Sequence, residues 1–175
     1  SRNWNDIEEK ILSSKLPKEI KNIAHQIFDR LAQAEAQVHK VPTYEVHFHE
    51  VGAADSIADI IGTAALLHEL QISQIIVGNI EVGSGKIESE HGILDIPAPA
   101  TAKLLSGFKL TSRRSGECTT PTAAAIFNAI GVQRNQIQFP KKMGRGAGTR
   151  NPIDYPNTLG VGIIDNVDAV MQVVI

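Results

Sequence analysis

The run His47-Phe48-His49-Glu50 puts two imidazoles and a carboxylate within four residues, and Asp55 and Asp59 follow closely. Alternate residues of a strand share a face, so an extended Tyr44 to Gly52 segment would present His47 and His49 side by side. Paired imidazoles beside carboxylates suit nickel, zinc or manganese. The run is also compatible with a structural role, in which one histidine packs, the other is solvated, and Asp59 pairs with Ser56 at a helix start in the manner of a capping box. Glu35 and His39 stand four apart on a preceding helix and could complete a metal site across a short connection; by themselves they are an ordinary exposed helical pair.

A second set of residues suits anions. Thr119-Thr120-Pro121-Thr122 reads as a helix start, whose free N–H groups and hydroxyls can hold a phosphate. Gly144-Arg145-Gly146-Ala147-Gly148-Thr149-Arg150 reads as a loop whose glycines let the backbone approach a ligand while the arginines supply charge. It lacks the residue order of a P-loop or dinucleotide fingerprint, and its glycines could serve only to permit tight turns. Cys118, just before the threonine helix start, fits packing better than a reactive thiol. His68 shares a helix face with Ile57, Ile61 and Ala64 and is expected in the core with a hydrogen-bond partner. His25 is expected on a helix surface. His91 is expected in a turn, where structural and ligand-facing roles are both open.

The elements that must position these residues can be read from periodicity. Ile20, Ile23, Ala24, Ile27, Leu31, Ala34 and Val38 recur at three- and four-residue steps, so an amphipathic helix is expected from about Pro17 to His39, closed by Val41-Pro42. A second helix, from about Ser56 to Leu70, is apolar nearly all round and is expected to be buried on most sides. Ile75-Ile76-Val77 reads as a buried strand, and Lys86 to Glu90, His91-Gly92 and Ile93 to Ile96 as a hairpin. Two short helices are announced by proline and closed by glycine: one after Pro97-Ala98-Pro99 and before Gly107, the other with Thr120 as N-cap, Pro121 at its first position and Gly131 as its stop. Strand character returns in Ile137 to Phe139, Thr158 to Ile164 and Ala169 to Ile175. Helices and strands alternate irregularly. The expected fold class is therefore α/β in the α+β sense, a single layered domain of mixed sheet and helices over 1–175.

Composition narrows the function. A chain of 175 residues, 42% hydrophobic, supports one core. A net charge of −2 without basic runs argues against nucleic acid as a partner. The absence of an apolar stretch near 20 residues argues against a membrane, and a cytoplasmic location is expected. With Cys118 as the only cysteine, any metal must rely on His, Asp and Glu.

Several segments, in order along the chain, resemble the nickel insertion family that completes the nickel-pincer cofactor of lactate racemase. They are Ala32 to His39, Val46-His47-Phe48-His49-Glu50-Val51-Gly52-Ala53 through Asp55 to Gly62, His91-Gly92 with Pro97 to Thr101, Thr119 to Ala123, and Gly144 to Arg150. The resemblance implies a nickel chelatase, a cyclometallase of the lyase class. Such an enzyme uses CTP, with manganese or magnesium, to insert nickel into pyridinium bisthiocarboxylic acid mononucleotide. It further implies a recipient isomerase as partner, and it is compatible with a homo-oligomer. The family's N-terminal segment and C-terminal nucleotide-binding domain are expected to lie outside these residues, so that this chain is the central part and CTP binds elsewhere. The resemblance supplies a reaction and no ligand set. On side-chain chemistry, His47, His49 and Glu50, helped by His39 or Asp55, are expected to hold nickel, since imidazole and carboxylate suit a divalent ion that must later be released to sulfur. Asp59 is the candidate base for the ring proton that leaves when a nickel–carbon bond forms. Thr119, Thr120, Thr122, Arg145, Gly146, Gly148 and Arg150 are expected to hold the mononucleotide phosphate. A zinc-dependent hydrolase built on the same histidines and a non-catalytic nickel or cofactor carrier are the alternatives.

Overall fold

The computed structural model describes residues 2–48, 54–134, 140, 142–150, 152, 155–165 and 169–174. Strand β1 (Arg2–Asn3) leads into helix α1 (Trp4–Ser13), which the sequence reading missed. Its signals are nonetheless local: the Asn3 side chain accepts from the Asp6 N–H as an N-cap, and Trp4, Ile7 and Ile11 fall on one buried face. Helix α2 (Lys18–His39) follows and forms the centre of the molecule, packing against α1 and the three helices that come after it. Its buried face carries Ile20, Ala24, Ile27, Phe28, Leu31 and Ala32, and the small alanines let neighbouring helices approach closely. The helix ends where Lys40 turns left-handed (φ 57°) and the Val41 N–H bonds back to the Ala36 carbonyl.

Strand β2 is only His47–Phe48, preceded by a 3-10 turn over Thr43–Glu45, so the expected Tyr44 to Gly52 strand is shorter than its alternation suggested. It pairs antiparallel with β1, Asn3 opposite His47. Helix α3 (Ala54–Glu69) buries Ile60, Ala64 and Leu67, while Leu66 is 61% exposed. The expectation of a helix buried on most sides is thus corrected: α3 meets α2 along one stripe and leaves an apolar outer face. His68 lies on that outer side and is exposed, so it is not the core histidine its spacing suggested. The apolar residues that share its sequence face, Ile57 and Ile61, are themselves only half-buried.

Strands β3 (Gln74–Val77), β4 (Ile80–Glu81), β5 (Gly83–Ser84), β6 (Lys86–Ser89) and β7 (Gly92–Asp95) come next, β6 and β7 forming the expected hairpin. Helix α4 (Pro99–Leu104), β8 (Leu110–Thr111) and β9 (Gly116–Glu117) lead to α5 (Pro121–Ile130). The expected signals of α5 are realised: Thr120 accepts from the Ala123 N–H, Pro121 opens the helix and Gly131 closes it. Strands β10 (Gly131–Gln133), β11 (Lys142–Ala147), β12 (Thr158–Asp165) and β13 (Ala169–Val174) complete the chain. Among the described residues a five-stranded mixed sheet runs in the order β10-β3-β13-β12-β11, parallel over its first three strands and antiparallel over its last three. Most of the glycine-rich stretch expected as a loop is strand β11, paired residue for residue with β12. The expected strand at 137–139 lies outside the described residues. The fold class is mixed α/β, as expected. No helix among the described residues is long and apolar enough to cross a membrane.

Candidate functional site

Three elements converge on a cavity of about 280 Å³ that gathers Glu35, His39, His47 and His91. The last turn of α2 brings Glu35 and His39, with His39 Nε2 3.4 Å from Glu35 Oε2. Strand β2 brings His47. Its neighbour Phe48 is buried against Phe28 (ring centroids 6.4 Å apart) while His47 is exposed, and both line the cavity. The β6–β7 turn brings His91, whose ring lies 5.0 Å from that of His39. That turn is shaped by Ser89, whose hydroxyl accepts from the His91 N–H and donates to the Gly92 carbonyl. Val38, Leu94 and Pro99 supply apolar walls.

His39 and His47, both expected from sequence as candidate metal ligands, line the same cavity. The sequence reading left His91 undecided, and no local pattern could have joined it to them, since only the packing of the hairpin on the end of α2 does so. His49 and Glu50 lie outside the described residues. Asp55 and Asp59 are exposed on the first turns of α3 and do not line the cavity. Among the described residues no three His, Cys, Asp or Glu side chains already stand together as a metal-binding group. Ligation by the cavity's imidazoles would require their side chains to rearrange. His25, expected on the surface without partners, is half-buried: it pairs with Glu8 at 2.7 Å and packs against Trp4.

A second cleft of about 340 Å³ joins the two stretches singled out for anions. It is lined by Arg114, Cys118, Thr119, Phe127, Gly146, Gly148, Arg150, Tyr155 and Asn157. Thr119 is buried and its hydroxyl donates to the Glu81 carbonyl at 2.7 Å, while the Thr120 hydroxyl accepts from the Ala123 N–H as the N-cap of α5 and Thr120 does not line this cleft. Thr122 is half-buried on α5 and Arg145 is exposed on β11, and neither lines this cleft. Pro121 lines the first cavity while Thr119 and Ala123 line the second, so the start of α5 is a shared wall.

Glu81 organises this region and was not anticipated from sequence, because a lone acid in an apolar strand carries no motif. It is 7% exposed. Burial by itself would raise its pKa, but the Thr111 hydroxyl and the N–H groups of Arg113, Arg114 and Gly83 all donate to it and hold the carboxyl below its ordinary value. A depressed folded-state pKa stabilises the fold above the unfolded value of about 4.3 and loses that contribution as pH falls through the folded value. Thermal melts should accordingly show stability falling below about pH 4, and Glu81→Gln should flatten that fall while costing about 1–3 kcal/mol near neutrality through mismatched donors. An unchanged acid limb in the variant would show that other carboxylates carry it. Nearby, the Tyr155 hydroxyl donates to the Ser115 carbonyl at 2.9 Å and lies 3.5 Å from Cys118 Sγ. Its phenol is held above its ordinary pKa chiefly by the Cys118 hydrogen bond, with burial adding to the effect.

Comparison with known proteins bears on both sites. The model of the nickel insertion protein family matches residues 1–174. A protein of Geobacter sulfurreducens named for nickel insertion is 48% identical over 164 residues, covering 92% of this chain and 42% of that protein. The pyridinium-3,5-bisthiocarboxylic acid mononucleotide nickel insertion protein of Geobacillus kaustophilus is 44% identical over 165 residues, covering 93% of this chain and 40% of that protein. Its counterpart of the same name in Clostridium kluyveri is 43% identical over 164 residues, covering 91% and 41%. The chain thus spans less than half the length of the curated relatives it matches. No solved structure matches it. With a family model covering nearly every residue and relatives this similar, the chain belongs to the nickel insertion protein family.

Proposed function

We propose that this chain supplies the nickel-holding part of an enzyme that inserts nickel into pyridinium bisthiocarboxylic acid mononucleotide, in a CTP-dependent reaction whose product serves lactate racemase. The observation that carries the reading is the cavity shared by His39, His47, His91 and Glu35. Imidazole and carboxylate bind a divalent ion firmly enough to collect it, whereas sulfur ligands hold a late first-row ion more strongly. Nickel would therefore pass from nitrogen and oxygen donors on the protein to thiocarboxylate sulfurs on the substrate. The ion is cargo here, and a site that assembles by side-chain rotation suits loading followed by release.

The second cleft is the proposed seat of the mononucleotide, with Gly146, Gly148 and Arg150 at its β11–β12 side. Asp59, exposed on α3 and apart from both cavities, has no geometric support as the base. The test is product formation by the whole protein with nickel, mononucleotide and CTP, followed by the nickel-dependent absorbance of the product. Substituting His39, His47 and His91 together should abolish it. Product formed at the original rate by the triple variant would remove the cavity from the reaction. Zinc copurifying in place of nickel, with hydrolytic activity, would favour the hydrolase alternative.

A further inference from the structure

We infer that the cleft between the Arg114–Thr119 segment and the β11–β12 hairpin binds a phosphorylated pyridinium nucleoside through Arg114 and Arg150, and that Glu81 is the positioning residue for Arg114. The inference rests on the function proposed above and names the residues that would hold its substrate.

Both arginines line the cleft, and each sits on backbone that is fixed in place. The Arg113 and Arg114 N–H groups donate to Glu81 Oε1 at 2.8 and 3.3 Å, and the Glu81 main-chain carbonyl accepts from Thr119 on the opposite end of the same segment. One buried residue therefore ties down both ends of the wall. The Arg114 guanidinium lies 4.6 Å from the centre of the Tyr155 ring, and Tyr155 is itself anchored to the Ser115 carbonyl. Across the cleft, the Gly148 N–H donates to the Asn157 carbonyl at 3.0 Å, and the Asn157 side chain donates to the Arg150 carbonyl at 3.1 Å. A Cβ at Gly148 would displace the Asn157 amide that donates to Arg150.

Two guanidinium groups facing one cleft suit a phosphate monoester, which they can engage by paired, charge-assisted hydrogen bonds. Glu117 also lines the cleft, so its balance of charge is positive by one and favours a compact anion over a polyphosphate chain. The volume of about 340 Å³ is near the small end of ligand sites and fits one nucleotide. Phe127, Ala123 and Leu159 are shared with an adjoining apolar groove of about 560 Å³, which offers a dry wall for a flat heterocycle. The polar end and the apolar end thus match a phosphate and a ring, respectively.

The experiment uses nicotinic acid mononucleotide as the probe, titrated calorimetrically without metal, beside the nucleoside lacking phosphate and beside CTP. The mononucleotide should bind at least about tenfold more tightly than the nucleoside, and Arg114→Ala and Arg150→Ala should each weaken it by about tenfold or more. Glu81→Gln should weaken it about as much as Arg114→Ala, and the double variant should lose no more than the worse single one. Arg150 is exposed and Arg114 only half-buried, so their variants report even where Glu81→Gln fails to fold. Equal affinity for mononucleotide and nucleoside, or unchanged affinity in both arginine variants, overturns the phosphate assignment. Additive losses in the Glu81, Arg114 pair overturn the positioning role. Loss of CTP binding alone in the arginine variants overturns the choice of ligand. Nickel titration of the same variants separates this from the reading it rests on: retained nickel with unchanged mononucleotide binding sinks only the cleft, whereas a wild-type protein that takes up no nickel sinks the function proposed above.

Discussion

Alanine at His39, His47 and His91 together should abolish nickel uptake measured by calorimetry, and each single substitution should weaken it by about 10–100-fold or more. Outer-sphere partners of metal sites are already worth about 10–100-fold, and a direct ligand should be worth no less. His91→Ala is the most informative single change, because His91 comes from a hairpin remote in sequence from the other two and meets them only in the folded chain. Protons compete with the ion for imidazole nitrogens, so uptake should also decline on acidification. Full nickel binding by His39→Ala and His91→Ala, with loss on His49→Ala, would move the site away from the cavity and toward the residues that follow β2.

The contrast between His47 and His91 shows how far sequence reading reached. His47 was legible because its strand alternation and its neighbouring histidine form a local pattern. His91 was not, since the hairpin carrying it reaches the end of α2 through packing that no spacing encodes. The same division holds for the elements. The boundaries of α5 followed from Thr120, Pro121 and Gly131, each acting within its own turn. Strand β11 was read as a loop because glycine weakens strand propensity, yet pairing with β12 along its length overrides that preference. The burial of α3 and His68 was overestimated for a related reason. An apolar helix announces that it can be covered, not that a partner covers it, and here Leu66 and Leu70 remain on the outside.

Gly83→Ala should be among the most damaging single substitutions in the chain. Gly83 has φ +85°, which costs a side-chain-bearing residue about 1–2 kcal/mol. In addition, a Cβ at this position would overlap the Gly116 carbonyl on the paired strand β9, and crowding of this kind costs about 1–3 kcal/mol. The expected loss is therefore about 2–5 kcal/mol, a fall in melting temperature on the order of 10 °C. The damage should spread, because the Gly83 N–H donates to the Glu81 carboxylate that also holds the Arg113 and Arg114 N–H groups, and the Gly83 carbonyl accepts from Ser112, two residues before Arg114. A melt displaced by less than about 1 °C would mean that the β5–β9 pair can separate freely and that the cleft wall is not held by it. By contrast, alanine at Gly85, which also has positive φ but open space around its Cβ position, should cost only the backbone part.

The position of Pro121 and Thr119 on opposite sides of one helix start has a further consequence for the proposed transfer of nickel. Two residues of chain span at most about 7 Å, so the wall between the histidine cavity and the arginine cleft is thin. An ion handed over across such a wall travels a molecular diameter rather than diffusing through solution. A soluble chelator too large to enter either cavity should slow loading of the empty protein while leaving a preloaded one able to finish a single turnover.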